Sequence, residues 1–124
     1  MHGLASITLP SANSLVRGAL TNLQNTSNEA LRSIPDKADQ LIYFQAIQQW
    51  GAAGSKVPVG ITLPIGNLPV RGALNNIQTT STESLVTMTE KTDQLVYFQA
   101  IEHWGATNCK SLSAQGAKTH GAAG

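Results

Sequence analysis

The sequence predicts an all-α fold: two tandem helical hairpins packed as a pseudo-two-fold, four-helix bundle-like domain. Three observations predict it. A segment is written twice, each copy carries apolar residues at helical spacing, and each run is bracketed by capping residues, glycine or proline. Aligned at an offset of 54, residues 7–52 match residues 61–106 at 28 of 46 positions. "ITLP" opens both copies, "VRGAL" follows, and "YFQAI" then "WG" closes them. A unit of this size buries too little surface to fold alone, whereas two can cover each other. The expected organisation is one domain over residues 1–124, with repeats at 7–52 and 61–106, a linker at 53–60 and a flexible tail at 108–124.

The first helix of each repeat follows from its periodicity. Val16, Ala19, Leu20 and Leu23 fall at i, i+3, i+4 and i+7, as do Val70, Ala73, Leu74 and Ile77. Asn13 and Asn67 stand ahead as N-caps, and Pro69 is tolerated in the first turn. Ala30, Leu31 and Ile34, and in the second copy Leu85 and Met88, continue the stripe. Thr26 to Glu29 and Thr80 to Glu83 both have the form of capping boxes, which would start a new helix there. Because the apolar stripe stays in phase across them, one helix of roughly 22 residues is expected in each copy. The glycines inside these helices, Gly18 and Gly72, are expected to permit close helix approach.

The second helix of each repeat has its own start signals. Ser33 to Asp36 and Thr87 to Glu90 each put a hydroxyl three residues before a carboxylate, with Pro35 in the expected first turn. The helices "DQLIYFQAIQQWG" and "DQLVYFQAIEHWG" are then expected to stop at Gly51 and Gly105. They are apolar nearly all round, which asks for cover on most sides. Strand is the competing reading of "LIYF" and "LVYF". The cap before each run and the glycine after it favour helix. The glycines and prolines between the copies break any helix, and the two "ITLP" stretches are candidates for short extended segments that pair.

Composition excludes several function classes. Charged residues make up 12% of the chain, with 8 basic against 7 acidic side chains and a net charge of +1. No basic patch of the kind that binds nucleic acid is present, so no nucleic-acid partner is expected. A polar surface with little charge repels its own copies weakly. The apolar runs fall far short of a membrane span, and "MHGLASITLP" lacks the pattern of a cleavable signal. The expectation is a soluble protein, cytoplasmic or exported without a cleavable signal peptide. With Cys109 as the only cysteine, no intrachain disulfide can form.

Residues for catalysis are few. His103 and Cys109 are the only histidine and cysteine close in sequence, and they would carry a small enzyme if any pair did. His2, His103, Cys109 and His120 lack the spacing of a metal site. Asp39 with Asp93 and Glu29 with Glu83 are like carboxylates that a two-fold axis would bring together, and solvated surface or capping is their simpler role. No phosphate-binding glycine loop is present. No catalytic residue, metal or cofactor is therefore assigned, and the protein is not expected to be an enzyme.

The function expected from these residues is that of a structural or self-assembling helical repeat subunit. Its partner is a homo-oligomer neighbour or another protein. Tyr43, Phe44, Ile47 and Trp50, with Tyr97, Phe98, Ile101 and Trp104, are the candidate anchors. Arg17, Gln45, Arg71 and Gln99, unchanged between repeats, form a candidate polar strip. Hydrogen bonding within a buried helix pair is the plainer explanation of that strip. The alternative function is an adaptor or regulatory module that receives a partner's helix between its two hairpins.

Overall fold

A computed structural model describes residues 7, 12–56, 60, 61, 63 and 65–123, with side chains through 114. It contains four helices: α1 (Ser14–Leu31), α2 (Lys37–Gly54), α3 (Leu68–Thr87) and α4 (Lys91–Ala123). The all-α expectation holds, and α2 on α4 and α1 on α3 are the principal packings. The "ITLP" pairing falls largely outside the described residues. Ile7 and Ile61, which open the two stretches, are both buried in the core.

Helices α1 and α3 begin where local chemistry says they should. The Asn13 side chain accepts from the Val16 amide at 3.1 Å, and Asn67 does the same for Val70 at 3.2 Å. Pro69 occupies the first turn of α3. Each helix runs unbroken past its internal capping box, over 18 residues in α1 and 20 in α3. The box residues have other partners there: the Thr26 and Thr80 hydroxyls lie 3.0 Å apart, and Ser27 accepts from the Tyr43 hydroxyl at 2.9 Å. The buried faces are Val16, Ala19, Leu20, Leu23 and Ala30 on α1, and Val70, Ala73, Leu74 and Ile77 on α3.

The starts of α2 and α4 differ from expectation. Asp36, not Ser33, is the N-cap of α2, accepting from the Ala38 amide at 3.0 Å. Pro35 therefore precedes the helix, and the Ser33 hydroxyl donates backward to the Ala30 carbonyl. Thr87 likewise donates to the Ser84 carbonyl, so each hydroxyl serves the end of the preceding helix. Gln40 and Gln94 tie the corners by donating to the Ile34 and Met88 carbonyls, both at 2.7 Å.

Gly51 and Gly105 do not end their helices. Neither has a positive φ; α2 continues to Gly54, and α4 runs on to Ala123. Their role is close approach. A Cβ at Gly51 would collide with the Glu102 backbone nitrogen and lie 2.8 Å from its Cα, and one at Gly105 would lie 2.6 Å from the Gln48 nitrogen. The assignment of close approach to Gly18 and Gly72 is corrected by the same geometry. Both are exposed, and a Cβ on either would meet nothing within 4 Å. The residues of the expected tail are assigned to α4 as far as Ala123. Ile101, Trp104, Gly105, Asn108 and Leu112 are all buried and share one face, so the apolar stripe runs on past the glycine.

The connectivity of contacts matters more for function than the helix count. Each helix packs chiefly on helices of the other repeat, α2 on α4 and α1 on α3, with α1 also on α4 and α2 on α3. The two helices of one hairpin are the weakest pair. The repeats thus clasp each other across a local two-fold axis. The axis is marked by the Thr26–Thr80 contact in one layer and the Gly51–Gly105 crossing in the other.

Candidate functional site

The eight candidate anchors all lie in the interior of the chain. Tyr43, Phe44, Ile47, Trp50, Tyr97, Phe98, Ile101 and Trp104 are each 5% exposed or less. The aromatic partners come from the opposite repeat. Phe44 meets Trp104 edge to face at 5.3 Å, and Trp50 meets Phe98 at 5.5 Å. Edge-to-face pairs at such distances add about 0.5–1.5 kcal/mol to what area burial supplies. The space between the hairpins is filled by α2 and α4 themselves, so a partner helix entering there would have to displace this packing.

The polar strip divides. Gln45 and Gln99 are exposed, as is Arg17, while Arg71 is half-buried. The explanation of Gln45 and Gln99 as hydrogen-bonding groups inside a buried helix pair is therefore set aside. Ile42, Gln45 and Gln49 recur at i, i+3 and i+7 and form an exposed stripe on α2. Val96, Gln99 and His103 hold the corresponding positions on α4, with Leu95 exposed beside them; Gln99 and His103 are exposed and Val96 is half-buried. Each stripe backs directly onto the aromatic core. Sequence reasoning singled out the glutamines but missed their neighbours Ile42 and Leu95; the i+3 and i+4 spacing of these residues was the available signal.

The remaining candidates do not converge. His103 is exposed and Cys109 half-buried, and six residues apart on one helix they point about 120° apart around its axis. Burial pushes the Cys109 thiol up, away from the thiolate that a nucleophile needs. Among the described residues no group of three or more His, Cys, Asp or Glu side chains could hold a metal. His2 and the side chain of His120 lie outside those described.

The paired carboxylates have structural partners. Asp93 accepts from the Asn13 side-chain amide at 2.8 Å, and Asp39 from that of Asn67 at 2.9 Å. Each asparagine thus caps its own helix with its oxygen and binds the other repeat with its nitrogen. Glu29 and Glu83 both border an open groove of about 590 Å³ between α1 and α3, with Leu15, Gly18, Asn25 and Thr26.

Buried hydroxyls break the symmetry. Burial pushes Tyr43 far above its ordinary range, with the bond to Ser27 opposing the shift. Tyr97 is pushed up to about 12, again by burial, with the nearby Ser81 and Ser84 hydroxyls opposing it. The Tyr97 and Ser81 hydroxyls are both buried, yet the geometry that joins Tyr43 to Ser27 is not reproduced between them.

No described helix is long and apolar enough to cross a membrane. Compared with protein-family models, curated proteins and solved structures, the chain matches none.

Proposed function

We propose that the protein is a non-enzymatic, self-assembling structural subunit whose copies associate through the outer faces of the aromatic helices, α2 and α4. The observation that carries this reading is the exposure of Gln45 and Gln99. They are unchanged between the repeats, sit in helices whose other faces are buried, and are flanked by Ile42 and Leu95. The two-fold axis presents a related stripe twice per chain, with Gln45 and Gln99 at equivalent positions and Ile42 and Leu95 at non-equivalent ones, so each subunit offers similar contacts to two neighbours. The buried aromatic anchors hold these stripes rigid from behind. Low charge favours the contact, because copies repel weakly.

The test is molar mass by light scattering after size-exclusion chromatography, over a wide range of concentration, with electron micrographs of the heaviest fraction. Assemblies should grow with concentration. Gln45→Lys with Gln99→Lys should reduce them to the mass of one chain while helical circular dichroism stays unchanged. Phe98→Ala should behave differently, costing about 3–5 kcal/mol of fold stability because the residue is core. A clean monomer at every concentration would overturn the proposal.

A further inference from the structure

The interior of this chain has the geometry of an interface between two like subunits. Its polar contacts across the axis come in reciprocal pairs: Asn13 to Asp93 and Asn67 to Asp39. Its aromatic contacts do too, Phe44 with Trp104 and Trp50 with Phe98. So do the backbone approaches of Gly51 to Glu102 and Gly105 to Gln48. At the axis one residue type meets itself, Thr26 with Thr80. The helices within each hairpin are the most weakly packed pair, so little besides the chain itself requires the two repeats to belong to one molecule.

That connection is the thirteen residues 55–67 between α2 and α3. Fully extended it spans at most about 45 Å, well beyond the roughly 27 Å length of α2. Its sequence contains Pro58, Pro64, Gly60 and Gly66, residue types that disfavour helix.

We infer that the inner face of each repeat is a second self-association surface, whose partner is the complementary repeat of another copy of this chain. Exchange creates no new contact. Helices α1 and α2 of one chain pack against α3 and α4 of the next through the same hydrogen bonds and aromatic pairs. If two chains exchange mutually, the result is a closed dimer. If each gives its repeats to different neighbours, the result is an open chain of subunits. Within one molecule the closed form is favoured by effective concentration, which for a short linker is in the millimolar range. Exchange therefore becomes competitive when chains are crowded or refold together. This surface is distinct from the outer stripes, and the inference stands whether or not those associate.

The experiment uses full-length chains carrying one cysteine each: Thr26→Cys or Thr80→Cys, both with Cys109→Ser and with Gln45→Lys and Gln99→Lys to silence the outer stripes. The two proteins are mixed at high concentration, unfolded in urea, refolded together and oxidised. A disulfide-linked species of twice the chain mass should form in the mixture and be absent when either protein is refolded alone. In an exchanged bundle of identical chains, position 26 faces a threonine. Linked dimers equally abundant in the single-protein controls, or none in the mixture, would overturn the inference. If either variant fails to recover helical circular dichroism, Asn13→Cys and Asp93→Cys replace the pair and are read the same way. No concentration-dependent mass in the chain that keeps Gln45 and Gln99, with persistence of the linked species in the cysteine variants, would discard the outer-stripe association alone.

Discussion

At Gly51 and Gly105 the backbones of α2 and α4 come closer than any side chain allows. The Cβ of an alanine at position 51 would overlap the Glu102 backbone, which cannot swing aside as a flexible side chain can. Gly51→Ala should therefore force the helices apart and cost about 1–3 kcal/mol. Gly18→Ala meets open space on an exposed helical face and should instead stabilise by about 0.5–1 kcal/mol. Urea midpoints for the two variants, compared with wild type, check the opposite signs. The buried tyrosines supply a second prediction at this scale. Tyr97 is raised from its usual 10.0 to about 12 in the folded chain, so the native state holds its proton more tightly than the unfolded state. Its contribution is fully present below pH 10 and lost as pH rises through about 12. Stability should be level up to about pH 10 and fall beyond it, and the fall should be shallower in Tyr97→Phe. Denaturant midpoints across that pH range measure it.

The elements show which local signals determine a helix and which depend on its neighbour. The starts at Asn13 and Asn67 were legible because capping is settled within one turn: an asparagine oxygen meets an amide three residues on. The glycines were not, because a glycine that ends a helix and one that lets another helix approach look alike in sequence. The choice is made by Gln48 and Glu102, half a chain away. Asp36 displaced Ser33 as cap for a related reason: either could accept from a free amide, and the Ser33 hydroxyl was taken by Ala30. The stripe of the candidate site was half legible. Gln45 and Gln99 stood out as polar residues in apolar helices, but their exposure depends on which face the aromatics bury. Asparagine capping is also where element and molecule are joined. Asn13→Ala removes a cap worth about 1 kcal/mol together with the bond to Asp93. A double-mutant cycle with Asp93→Ala should leave a coupling of about 0.5–1 kcal/mol, modest because both groups are part-exposed. Zero coupling would mean the cross-repeat bond contributes nothing to stability.

At the scale of the whole molecule, the clasped arrangement requires the two repeats to rise and fall together. The core of each hairpin is completed by the other: Phe44 needs Trp104, Phe98 needs Trp50, and the intra-hairpin helix pairs are the weakest packed. Neither repeat alone retains enough buried surface to outlast its partner. Unfolding should therefore be two-state, with no half-folded species. The protein carries its own probes, one tryptophan in each repeat, Trp50 and Trp104, both nearly fully buried. Single-tryptophan variants, Trp50→Phe and Trp104→Phe, each report on the remaining repeat. Within each variant, the fluorescence midpoint should coincide with the midpoint of helical circular dichroism. A fluorescence transition preceding the loss of helix would mean that one hairpin opens while the other persists, and the clasp would then not be what holds the fold. Coincidence would mean that separating the repeats and unfolding them are one event, so any exchange of repeats between chains must pass through global unfolding. Assemblies built by exchange would form slowly under native conditions and quickly on refolding, whereas assemblies built on the outer stripes of α2 and α4 would form without unfolding at all.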